Sequence, residues 1–373
     1  MKLEIKKTIL MENLNYVIKG ISNKNIIPIL NCIKFELTSD GLYLMSTDNE
    51  IAIKTFIESK NIENIDKLGE VVISGRYIYD IIKKLPNTII SIEEVVDNKI
   101  FINTEQSSFR LNCNDSSEFP TIDLNENKNP IFINQKIFKN IIKQTSFATS
   151  NEESRPLFTG INFSIIENRL ECTTTDSHRL SLKKLEINNS MKESLDITIP
   201  THTLNELIKL MIDEDKDVEL HIFNNKVIFK FSNILLMSRL INGTYPDVSG
   251  FIPKEFSLAV KVNLNDFFGA IDRASLLTNE EDKNTIKLES KNSNFIISSN
   301  IPEIGNVEEI INIYKNKDED IKIAFSSKYM IDALKSFECE EIELLFNGEI
   351  KPIIIRNVES DDLTQLIVPI RTI

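Results

Sequence analysis

Residues 173–180 read TTTDSHRL, and within them Asp176, Ser177, His178 and Arg179 stand side by side. A carboxylate, a hydroxyl and an imidazole are the parts of a hydrolytic relay in which Ser177 attacks, His178 takes its proton and Asp176 orients the ring. The spacing opposes that chemistry. Consecutive side chains on an extended strand point to opposite faces, so three neighbours do not converge as nucleophile, base and orienter. Triad members usually come from distant segments, and no G-x-S-x-G elbow occurs in the chain. His202 and His221 fall into no metal-ligand spacing with His178. Cys32, Cys113, Cys172 and Cys339 are each more than 50 residues from the next, which excludes a C-x-x-C pair and reads as free buried thiols. No catalytic residue, metal or cofactor is expected, so the elements that position this stretch must explain it.

Those elements repeat. The segment ISGRYIYDIIKKL at 73–85 recurs 126 positions on as IPTHTLNELIKLM, and after another 126 as FSSKYMIDALKSF. Ile78, Ile81, Ile82 and Leu85 become Leu204, Leu207, Ile208 and Met211, then Met330, Ala333, Leu334 and Phe337. The i, i+3, i+4, i+7 spacing is one face of an amphipathic helix, and all twelve positions stay apolar. A second helix repeats as Leu10 and Leu14, Phe138 and Ile142, Phe267 and Ile271. Each copy of the first helix precedes a hairpin pattern, IISIEEVVDNKIFI, VELHIFNNKVIFKF and IELLFNGEIKPIII, in which alternating apolar residues flank a turn dipeptide. Phe119-Pro120 and Tyr245-Pro246, offset by 126, close the first two units. The chain reads as three copies of one α+β unit, at 1–127, 128–254 and 255–373, each with two helices and about eight antiparallel strands. In that register Thr175-Asp176 corresponds to Thr47-Asp48, offset by 128, whereas the third unit has SSNIPEI. A Thr-Asp pair shared by two units reads as a turn cap. His178, Arg179 and Leu180 belong to the middle unit alone.

Composition sets the outer bounds. With 373 residues, 41% hydrophobic and 27% charged, the chain is long enough for two or three globular domains. MKLEIKKTIL lacks the apolar core of a signal peptide and no run approaches 18 apolar residues, so a cytoplasmic protein with no membrane partner is expected. A net charge of −13 argues against a protein that coats itself in nucleic acid, although it does not report how charge is distributed.

PIL at 28–30, STDNEIAI at 46–53, RPLFTGI at 155–161, TTDSHRL at 174–180, NGTYPD at 242–247 and the terminal VPIRTI together resemble the bacterial DNA sliding clamp, the beta subunit of DNA polymerase III. The resemblance spans the whole chain. It implies three clamp domains per chain and two chains joined head to tail in a six-domain ring around duplex DNA, held without sequence preference. Retention would then be topological and compatible with an acidic protein. It implies a non-catalytic processivity factor that tethers the DNA polymerase III alpha subunit, the clamp loader and other polymerases and repair proteins through a QLSLF-like peptide motif. The family pocket carries over onto Phe158, Thr175, Ser177, His178, Arg179 and Leu180, onto Pro246, Gly250 and Phe251, and onto Ile350, Pro352, Leu366, Ile367, Val368, Pro369, Ile370 and Arg371. DNA-facing positions are Lys24, Arg76, Lys83, Lys84, Lys136, Lys139 and Lys143. Ring closure falls to Phe109 and Leu111 facing Leu276 and Leu277. Gly250 stands where the family often has arginine and Val368 where it often has methionine, and the chain runs one residue past the usual end. Two rivals remain: a hydrolase using Ser177, His178 and Asp176, and a non-ring adaptor of three domains that binds partners but not DNA.

Overall fold

Six helices carry the repeated stripes in the computed structural model: α1 (Lys7–Val17), α2 (Gly75–Lys84), α3 (Gln135–Thr145), α4 (Thr201–Leu210), α5 (Leu264–Ser275) and α6 (Ser327–Leu334). The structure describes residues 1–21, 26–95, 98–126, 129–187, 194–212 and 215–371. Leu10, Leu14, Phe138, Ile142, Phe267 and Ile271 are each fully enclosed, as the second repeat requires. Ten of the twelve positions in the other stripe are buried, while Ile81 and Ile208 are half-buried. Each enclosed Leu, Ile or Phe contributes about 1.5–3 kcal/mol, so a stripe of four outweighs the weak helix propensity of its isoleucines. Pro86 stops α2 because its ring cannot continue a helix. At α5 the Asn263 side chain accepts from the backbone N–H groups of Asn265 and Asp266 at 3.0 and 3.1 Å, capping the first turn.

The three hairpins form as the alternation indicates, with Ser91↔Asn103, Glu219↔Lys230 and Leu345↔Ile354 among the opposed pairs. Among the described residues the chain makes two compact units, 1–136 with 203–240 and 137–202 with 241–373. The first holds a 13-stranded sheet, and the second holds sheets of nine and four strands. In the first unit the strand Ile51–Glu58 pairs with Ile234–Arg239, placing Ala52 opposite Met237. In the second, Arg179–Glu186 pairs with Leu363–Ile367, placing Leu180 opposite Leu366. The middle copy therefore divides its strands between the two units, because each half of it extends a neighbouring copy's sheet instead of ending in an exposed edge. No helix among the described residues is long and apolar enough to cross a membrane.

Candidate docking site

One row of side chains organises the second unit. Leu180, Leu366, Ile354, Leu345 and Ala259 lie directly opposite one another across five adjacent strands, so they share one sheet face. Leu180, Leu345, Ile354 and Leu366 are buried with Leu182, and Val248, Ile252 and Phe256 from the segment after Tyr245 pack against them. The cover is incomplete. Phe251 is 62% exposed, Ile350 67% and Val368 37%, and Pro246 is exposed as well. A Cβ added to Gly250 would meet nothing within 4 Å, so that residue leaves open space at the edge of the apolar surface. Phe158 is half-buried with its ring edge-on to Tyr245 at 5.9 Å. Pro352, Pro369 and Ile370 are half-buried, and Arg371 is exposed. An apolar floor with exposed apolar residues at its margin suits an extended peptide that buries two or three apolar side chains.

Strand alternation places other predicted pocket residues on the opposite face. Ile367 is fully enclosed in the helix-side core with Phe267 and Met330, so it supports the floor from behind. Arg179 also turns to that side. Its Nε donates to Asp176 Oδ2 at 3.0 Å and its Nη1 to Asp332 Oδ2 at 2.7 Å, while the guanidinium lies 4.5 Å from the centre of the Tyr329 ring and 5.3 Å from that of Phe147. Arg179 thus ties the turn of the middle copy to α6 of the third. Near it, Ser181 Oγ and Gln365 Nε2 both donate to the carbonyl of Gln144, and Gln365 Nε2 also donates to Ser336 Oγ.

The turn itself has a twin. Thr175 Oγ1 donates to the carbonyl of Arg179 at 2.7 Å, Ser177 N–H donates to Thr175 Oγ1, and Asp176 Oδ1 accepts from the N–H groups of His178 and Arg179. In the first unit Thr47 Oγ1 donates to the carbonyl of Ile51 at 2.8 Å, Asn49 N–H donates to Thr47 Oγ1, and Asp48 Oδ1 accepts from Glu50 and Ile51. Ser177 and Asn49 both sit at φ 77°. Asp176 is a cap, as the repeat indicated. Ser177 Oγ accepts from Arg155 Nη1 at 3.0 Å, and the exposed His178 ring stacks on Tyr329 at 6.3 Å. The three side chains have separate partners, an arrangement that assembles no nucleophile–base pair. Burial pushes the thiol pKa of Cys32, Cys113, Cys172 and Cys339 upward, which disfavours thiolate chemistry at any of them.

The remaining predicted residues lie elsewhere. Lys24 falls outside the described residues. Arg76, Lys83 and Lys84 are exposed on α2, and Lys136 and Lys143 are exposed on α3, where Lys139 is half-buried. Phe109 and Leu111 are half-buried on the strand Ser108–Asn114. That strand pairs along its length with Lys99–Asn103 but on its other side only through Cys113 and Asn114, which leaves a free edge among the described residues. Leu276 is 78% exposed, and Leu277 is half-buried beside it. Three ligand-type side chains, Glu126, Glu219 and His221, gather within 4.8 Å in the first unit. The Lys230 ammonium lies 2.7 Å from Glu126 Oε2 and 4.0 Å from Glu219 Oε2, so a cation already balances them. Sequence reasoning missed Tyr329, Asp332, Leu345 and Ile354. The last two were readable from the alternation of IELLFNGEIKPIII, the first two only from three-dimensional proximity.

Comparison with known proteins covers the same ground from outside. Family models of the DNA polymerase III beta subunit match in order: the N-terminal domain over residues 1–123, the central domain over 132–247 and the C-terminal domain over 250–371. A beta sliding clamp of Staphylococcus epidermidis is 39% identical over 376 residues, covering all of both chains. The crystal structure of the DNA polymerase sliding clamp from Bacillus subtilis superposes with a TM-score of 0.96 at 38% identity, over the whole of both chains. The DNA polymerase III beta chain from Streptococcus pneumoniae gives 0.94 at 33%, also with full coverage.

Proposed function

The chain belongs to the DNA polymerase III beta-subunit family, and from that premise we infer that it acts as a sliding clamp, a processivity factor for DNA polymerase. The carrying observation is the ordered match of all three family domains along one chain, with full-length coverage of its relatives. Three clamp domains per chain, bounded at 1–127, 128–254 and 255–373, make two chains sufficient for a six-domain ring. The strand Ser108–Asn114 of one chain would pair with a third-domain edge of the next, bringing Phe109 and Leu111 against Leu276 and Leu277. Duplex DNA passes through that ring and is retained by its closure. The cations of α2 and α3 face the phosphates, and a whole-chain net charge of −13 is tolerated because grip does not depend on affinity.

The protein contributes no chemistry of its own. A polymerase held through a short peptide in the Leu180–Leu366 cleft is kept at high effective concentration near the primer end. The replicative alpha subunit, the clamp loader and repair proteins dock there through QLSLF-like motifs whose leucine and phenylalanine fill the apolar floor. The test is retention on nicked circular DNA. The protein should stay bound through gel filtration in high salt and be lost when the circle is linearised. Loss from the intact circle would remove the ring reading.

A further inference from the structure

The four-stranded sheet of the second unit has one free edge among the described residues. At one end the strand Lys322–Ser326 meets the C-terminal segment, where Ile370 N–H donates to the carbonyl of Ala324. At the other end Gly305–Asn312 pairs only with Asn294–Ile301. That edge runs beside the end of α5. Leu277 and Val307 line one cleft, of about 840 Å³, and Arg273 and Ile310 line another, of about 290 Å³.

Arg273 bridges the two elements. Its Nε donates to Glu309 Oε1 at 2.9 Å and its Nη2 to Glu309 Oε2 at 2.7 Å, a two-bond fork from helix to edge strand. Alternation turns Glu309 inward with Val307 and Ile311, which pack on the helix-side core, and leaves Glu308 and Ile310 exposed. As a contribution to folding the fork is weak, because the Arg273 side chain is 58% exposed. What it adds is a directional tie between the edge and the end of α5, which the apolar packing of Val307 and Ile311 does not supply. Leu276, one turn on from Arg273, is 78% exposed. Resting on the ring-closure reading given above, we propose that Arg273 is a positioning residue for closure, holding Gly305–Asn312 and Leu276 ready for the Ser108–Asn114 strand of a second copy. Strand pairing needs the edge and the apolar contact needs the helix end, so fixing both before association lowers the ordering cost of binding.

The test is fluorescence-detected sedimentation of the full-length chain. Arg273→Ala should raise the dimer dissociation constant about three- to tenfold. Arg273→Lys should recover only part of that loss, because an ammonium cannot form the fork. An Arg273→Glu, Glu309→Arg double variant should return to within about twofold of the parent. A merely structural pair would act on folding instead, so urea unfolding of Arg273→Ala is compared with its parent in a Leu276→Asp background, where the closing contact is removed at an exposed position. There the midpoint should barely move. A dissociation constant unchanged by Arg273→Ala would overturn the proposal, as would a rise matched by an equal loss of stability in that background. A parent chain that never dimerises, or one that stays dimeric as Leu276→Asp, would instead remove the closure reading itself, and the positioning role with it.

Discussion

The molecule contains the same sheet floor twice, once open and once sealed. In the second unit the row runs Leu180, Leu366, Ile354, Leu345; in the first unit the same strand positions hold Ala52, Met237, Ile228 and His221. Both rows are buried, and both are covered by the segment that follows a Phe-Pro or Tyr-Pro pair. The covers differ in how they are held. In the first unit Ile122 and Leu124 pack on the row while Lys226 Nζ donates to the carbonyl and carboxylate of Asp123 at 2.6 and 2.7 Å, and Lys230 holds Glu126 at 2.7 Å. In the second unit Pro352 and Arg356 occupy the positions of Lys226 and Lys230, offset by 126, and Arg356 donates to Thr364 and faces the Phe256 ring. The cover there stops short, leaving Phe251, Ile350 and Val368 exposed. A buried floor is common to both units, apolar throughout in the second and interrupted by His221 in the first. On the proposed function, the floor that docks a peptide is the one whose cover is not charge-paired down along its length.

The largest break in this comparison should come from a charge on the open floor. Leu180→Asp is expected to weaken binding of a QLSLF peptide by at least about a hundredfold in fluorescence anisotropy, since it buries an unpaired carboxylate where the ligand's apolar side chain sits. Ala52→Asp, at the sealed position, should cost stability and leave peptide affinity within about twofold. Arg179→Ala is next. It leaves Asp176 and Asp332 without their cation, at a cost of about 2–3 kcal/mol in denaturant unfolding, below the range for a fully buried pair because the Asp332 side chain is 31% exposed. Arg179→Lys should recover part of that loss but not all, because an ammonium cannot bond both carboxylates in the fork geometry or lie flat on Tyr329.

Smaller effects sharpen the sealed side. A Lys226→Ala, Lys230→Ala variant should change global stability little, pairs with solvent-exposed carboxylates being weak, yet it should raise hydrogen exchange selectively over residues 122–126. Acid should do the same. The hydrogen bond from Lys226 holds the Asp123 carboxyl below its ordinary range. A depressed folded-state pKa means that its contribution is present above about pH 4, the unfolded value, and is lost as pH falls through the folded one. Exchange over 122–126 should therefore rise below about pH 4 in the parent and show a smaller step in the double variant, where only the Asn125 N–H bond to the carboxylate remains. A midpoint above pH 5 would point to a different group.

Much of this frame was legible in the sequence. The helices and hairpins followed from apolar periods of 3.6 and 2 recurring at nearly constant offsets, which tertiary context had no reason to override. The Thr-Asp cap was legible because two copies carry it. Which face each docking residue takes was less so. Arg179 and Leu180 are neighbours, but strand alternation sends one to the helices and the other to the floor, and parity relative to the sheet is fixed only by register with Leu363–Ile367. The ion pair of Arg179 with Asp332 joins residues 153 positions apart and leaves no local signature. Nor could composition show that Ile122 and Leu124 seal the first floor, since their partners Ala52, Ile228 and Met237 come from two different copies of the repeat.

The central claim is that one of two equivalent floors accepts a peptide, and the most direct measurement is calorimetric titration of a QLSLF peptide into the full chain. The account predicts one peptide per chain, abolished by Leu180→Asp and retained by Ala52→Asp. Two peptides per chain, or binding that survives Leu180→Asp and is lost with Ala52→Asp, would contradict it.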